Sequence, residues 1–171
     1  MPRQLVTEAV MIAIYGQLLA PSAPVEYLLP YTTVVELYEL QSSLDPLMES
    51  KHEDQHVKKK ISQLIQYFEE PLNQKKIRRA LQIPWAQSSS ILLSDLVSVR
   101  IVNALDTAVY GEFFDPIETE LLLTSQRYQL PLLTDQVEWI ARILEANISV
   151  QIYDIDDFEY AIENNDFPTE P

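Results

Sequence analysis

His52 and His56, in the run HEDQH, are the only histidines of this chain, and it has no cysteine. Two histidines four apart with a glutamate beside the first form the HExxH pattern. On a helix it sets two imidazoles on one face to hold zinc, while the glutamate activates water. A helix with that task must bury one side against a shaped cleft. Here the run is flanked by MESK and VKKK, whose side chains want water. The third ligand is also missing, because Glu69 and Glu70 lie beyond an amphipathic stretch with no break to fold them back. The histidines are therefore expected on a solvated helix start, and no zinc is expected.

Glycine chemistry is as thin. Gly16 and Gly111 are the only two glycines and stand far apart, so no loop offers successive bare amides to a phosphate. P-loop, dinucleotide and nucleophile-elbow chemistries are excluded on that ground. A Ser/His/Asp triad has little support, since both histidines sit in one charged segment. Carboxylates are what remain for chemistry.

The elements that would position them can be read from pattern. At 171 residues with 47% hydrophobic content, the chain suits one domain that buries roughly 70% of its unfolded surface. AVMIAIYGQLLAPSA has the length of a signal-peptide core, but Glu8 before it and Gln17 within it weigh against secretion. It is too short and polar to span a bilayer. Buried structure in an intracellular, cytoplasmic protein is expected, with no membrane contact.

Strands are predicted near residues 3–7, 26–31, 130–134 and 148–153. TTVVELYELQSSL reads as a helix capped by Thr32 or Thr33. Val57, Ile61, Leu64, Ile65 and Phe68 recur at helical spacing, and a second helix ends before Pro84. Ser94 is predicted to open a helix over about 95–108. Asp115, Pro116 and Glu118 spell a capping box for a helix to about Tyr128. Asp135 and Glu138 suggest a second box, for a helix whose inner face is Val137, Ile140, Ala141 and Leu144. Strands alternating with helices argue for an α/β fold with a parallel sheet covered on both faces.

Charge is uneven. The net charge is −14, yet Lys51 to Arg79 holds eight basic and four acidic residues, while beyond Arg142 there are eight acidic residues and no basic one. A nucleic-acid contact, if the chain makes one, is expected through Lys58, Lys59, Lys60, Lys75, Lys76, Arg78 and Arg79. The competing reading of those residues is a solvated helix face.

Three stretches together resemble the PIN domain family, metal-dependent ribonucleases built on a small parallel sheet. LVTEAVMIAIYG is similar to the family's first strand and helix, and YLLPYTTVVELYEL to its second, with a glutamate just after the strand. DPIETELLLTSQRYQLPLLTDQ followed by ISVQIYDIDDF resembles the C-terminal half. The resemblance spans residues 1–171 as a single domain, apart from about 44–87, a helical insertion.

The resemblance implies a carboxylate cluster at the C-terminal edge of the sheet that binds Mg²⁺ or Mn²⁺, hard cations that want oxygen ligands. It places Glu36 and Glu118 as metal ligands, and Glu118 stands sixteen residues before Thr134. The other two acids fall on Thr7 and Gln136, with Glu8 and Asp135 as neighbours. Because successive residues of a strand face opposite ways, Glu8 is not expected to stand in for Thr7. Glu118 and Asp135 also read simply as helix caps.

The expected protein is thus a degenerate PIN-like domain. It holds no bound cofactor and acts by binding a protein or RNA partner, a second copy of the chain included. The alternative is an active Mg²⁺- or Mn²⁺-dependent endoribonuclease cutting single-stranded RNA, with Glu36, Glu118 and Asp135 as its catalytic carboxylates.

Overall fold

Every residue of the strand Val25–Pro30 is buried, as a strand covered on both faces of a parallel sheet must be. The computed structural model describes residues 2–105, 109–111 and 113–164. In chain order the elements are β1 (Arg3–Val6), α1 (Ala9–Ile14), β2 (Val25–Pro30), α2 (Tyr31–Ser42), α3 (Lys51–Glu69), α4 (Pro71–Ala80), β3 (Ile91–Leu92), β4 (Val97–Val102), α5 (Pro116–Tyr128), β5 (Leu132–Leu133), α6 (Val137–Glu145), β6 (Ile152–Tyr153) and α7 (Ile155–Asn164). One six-stranded sheet runs β3-β4-β2-β1-β5-β6. All neighbours are parallel except β3 with β4. The expected α/β class, with one sheet between helical layers, is what the chain forms.

Strand alternation divides the core in two. Leu5, Tyr27, Leu29, Val99 and Ile101 face α1, α2, α3 and α7. Val6, Leu28, Val102 and Leu132 face α5 and α6, where Leu122, Trp139 and Ile143 meet them. The helical insertion belongs to the first layer, since α3 packs on α1 and α2 through the predicted stripe Val57, Ile61, Leu64, Ile65 and Phe68. Among the described residues no helix is long and apolar enough to cross a membrane.

Three expectations are corrected. The stretch predicted as a helix over 95–108 contains β4, paired residue by residue with β2 from Val25↔Val97 to Pro30↔Val102. Its β-branched residues alternate with Ser98 and Arg100, a period of two that suits a pleat better than a helix; residues 106–108 lie outside the described residues. The inner face of α6 is Trp139 and Ile143, while Val137 and Leu144 are 76% and 65% exposed. The bulkiest side chain won the core position, and the inward face of the helix rotated with it. Neither Thr32 nor Thr33 caps α2, whose N-cap is Pro30. Thr33 instead donates to the Pro30 carbonyl at 2.9 Å and accepts from the Ala9 amide at 3.3 Å.

Candidate functional site

From β1 the chain moves outward through β2 to β4 in one direction, and later through β5 to β6 in the other. The crevice beyond the carboxyl ends of β1 and β5 is therefore the topological switch point, where open parallel sheets place their ligands. Thr7 and Glu8 leave β1 into this crevice, and Thr134, Asp135 and Gln136 leave β5 into it. Glu36 reaches it from α2 beside Glu8, whereas Glu118, at the first turn of α5, turns to Arg142 of α6.

Thr7 does not offer an open ligand. It is fully buried, and its hydroxyl donates to the Leu133 carbonyl at 2.9 Å, tying β1 to β5. Glu8 is the N-cap of α1 and lies past the end of β1, so strand alternation no longer governs its direction. Contrary to the expectation from alternation, its side chain does enter the acidic group. It is 7% exposed, and Gln136 Nε2 donates to its Oε1 at 2.7 Å.

Burial first, and then the Glu36 carboxylate, push the Glu8 carboxyl up to about 8. Glu36 is also raised, chiefly by burial, against the hydrogen bond that Glu8 supplies. Glu36 Oε1 is buried and meets no N–H or hydroxyl donor. The Glu8 and Glu36 carboxyls lie within hydrogen-bond reach of each other, a pair that one shared proton would satisfy. Gln136, where the family resemblance puts an acid, is the amide that completes this arrangement.

Asp135 is exposed and accepts from the Tyr15 hydroxyl. Burial, and then this carboxylate, push the Tyr15 phenol up to about 12. The predicted capping box of Asp135 with Glu138 does not form: the N-cap of α6 is Gln136, without a side-chain cap. Its amide turns back to Thr134 Oγ1 at 3.2 Å, which leaves the Asp135 carboxylate to Tyr15.

Glu118 is occupied on both oxygens. Asp115 and Glu118 form the predicted capping box, with the Asp115 amide donating to Glu118 Oε1 at 3.1 Å. From α6, Arg142 Nη2 donates to Glu118 Oε2 at 2.7 Å and Nη1 to Oε1 at 3.3 Å. Among the described residues no three His, Asp or Glu side chains converge to hold a metal ion.

His52 and His56 are exposed on the opening turns of α3, whose N-cap Ser50 accepts from the Glu53 amide. The basic residues divide between two helices. Lys58 pairs with Asp54 at 3.4 Å, and Lys76 Nζ donates to the Ser90 carbonyl at 2.7 Å. Lys59, Lys75, Arg78 and Arg79 are exposed and Lys60 is half-buried.

Two buried acids escaped the sequence reading. Glu120 accepts from Thr32 at 2.8 Å beside the crevice. Glu26 in β2 gathers Gln4, Ser90, Ser98 and Arg100 within 2.9 Å. The only signal for Glu26 was a charge inside an otherwise apolar strand, VEYLLPY. No known family model matches the chain, and no curated protein matches it as a relative.

Proposed function

We propose that this chain is a PIN-like domain whose acidic centre has become a structural, proton-sharing cluster, and that it acts by binding single-stranded RNA through its basic helical insertion. One observation carries the loss of catalysis. Glu118, the acid that would complete a metal site with Glu36, has both oxygens engaged by Arg142 and the Asp115 cap. A hard cation would have to displace a bidentate charge-assisted contact, and it would find Thr7 and Gln136 where two carboxylates are needed.

The residues therefore do not fit a tightly held Mg²⁺ or Mn²⁺. RNA binding is supported by the exposed Lys75, Arg78 and Arg79 of α4, which enter no ion pair among the described residues.

One feature favours the second reading, an active Mg²⁺- or Mn²⁺-dependent endoribonuclease: Glu8 stands beside Glu36, with Asp135 close enough to act on it electrostatically. Titrating RNA binding against salt, together with a cleavage assay in Mn²⁺, separates the readings. Affinity falling steeply with salt and no cleavage is the expected pair of results, because each phosphate neutralised releases counterions. Cleavage abolished by Glu36→Gln would establish the nuclease. Absence of any RNA binding at low salt would move the function to a protein partner.

A further inference from the structure

A cleft of about 140 Å³ lies between α2 and α4. Tyr31 and Tyr38 line it from α2, Gln74, Ile77 and Arg78 from α4, and the buried ring of Phe68 from α3. Tyr31 is the residue directly after β2, so the cleft opens at the carboxyl-end side of the sheet, as the switch-point crevice does.

The walls are chemically specific. Arg78 Nη2 donates to Gln74 Oε1 at 2.8 Å, which steadies the planar guanidinium at the rim. The Tyr38 phenol is held protonated by burial and then by the Glu69 carboxylate beside it. A cavity of about 150 Å³ admits a benzene-sized ring, so this cleft has room for one six-membered heterocycle. Lys75 and Arg79 stand exposed on the same helix and enter no ion pair among the described residues. A flat ring beside phosphate anions is the chemistry of a nucleotide. Gln74 and Arg78 already bond each other and the Tyr38 hydroxyl meets Glu69, so the cleft offers a ring stacking contacts and the remaining guanidinium N–H groups.

The geometry points to a capture site for one unpaired pyrimidine base of single-stranded RNA, stacked among Tyr31, Tyr38 and Arg78, with Lys75 and Arg79 on the flanking phosphates. This inference rests on the RNA-binding reading above and adds to it the place and the base class.

Fluorescence anisotropy with labelled hexauridylate, hexaadenylate and an abasic oligonucleotide of equal length tests it. The unmodified protein is expected to bind hexauridylate about fivefold or more tighter than the abasic strand, since a stacked base contributes at least that much. Tyr38→Leu, at an exposed position, should erase the difference while leaving abasic binding unchanged. Lys75→Ser with Arg79→Ser should weaken both strands equally. Equal affinity for the abasic strand and hexauridylate overturns the base site while leaving RNA binding in place. Hexaadenylate binding as tightly as hexauridylate overturns the pyrimidine assignment. If none of the strands binds at low salt, the RNA-binding reading fails, and the base site falls with it.

Discussion

Arg142 on α6 grips Glu118 on α5 through both terminal nitrogens of its guanidinium, at 2.7 and 3.3 Å. The contact joins the two helices that cover one face of the sheet, and it neutralises the Glu118 carboxylate. Burial of Glu118 fixes the pair more firmly than an open surface pair, though Arg142 stays partly exposed. Arg142→Met should therefore cost about 1 kcal/mol in urea unfolding, near the upper end for exposed pairs.

The same contact sets what a rebuilt metal centre requires. Thr7→Asp with Gln136→Asp supplies the two missing carboxylates but leaves Glu118 held. Adding Arg142→Met releases it. Calorimetry should give clearly tighter Mn²⁺ binding for the triple variant than for the double one. Equal affinities would show that Glu118 does not reach the crevice.

Stability should fall as pH rises through neutrality. The folded Glu8 carboxyl is raised from an ordinary 4.5 to about 8, so the folded state holds a proton that the unfolded chain releases between those values. Its contribution is fully present below about pH 4.5 and is lost as pH approaches 8, with a slope no steeper than about 1.4 kcal/mol per pH unit. Urea unfolding at pH 6 and at pH 8.5 should show the decline. Glu8→Gln should flatten it.

Glu26 acts with the opposite sign. Burial alone would raise its carboxyl, but hydrogen bonds from Ser90, Ser98, Gln4 and Arg100 bring it below the ordinary range. The stability it supplies is present above about pH 4.5 and is lost in acid as that carboxyl is protonated. Glu26→Ala leaves Arg100 and two serines without their acceptor and should cost about 2–4 kcal/mol by denaturant titration. Arg100→Met should cost less, because three other donors to Glu26 remain.

Replacing both His52 and His56 by Ala should change stability by less than about 0.5 kcal/mol, as for exposed positions in general. Adding a chelator should leave the unfolding curve unmoved. A large shift in either measurement would restore the metal reading of HEDQH.

Much of the fold was legible where one signal acted alone. The capping box at Asp115 and the stripe from Val57 to Phe68 follow from local spacing, and both formed as read. β4 was missed because Ser94 looked like a helix start, although Val97, Val99 and Ile101 alternate cleanly with Ser98 and Arg100. On α6 two apolar stripes compete, and only packing against the sheet decides for Trp139 and Ile143. The site was legible as residue types and not as contacts. Nothing in the sequence says that Arg142, far from any motif, closes on Glu118, or that Glu8 escapes strand geometry by capping α1.

Lys76, counted among the cations that could face RNA, spends its ammonium on the carbonyl of Ser90, one residue before the edge strand β3. That strand and the opposite edge, β6, are each two residues long. A sheet with such short margins gives a foreign strand little to pair with, and a lysine posted at one of them adds a charge that a growing ladder would have to bury. Self-association of this chain, where it occurs, should run through helical faces and not through sheet extension.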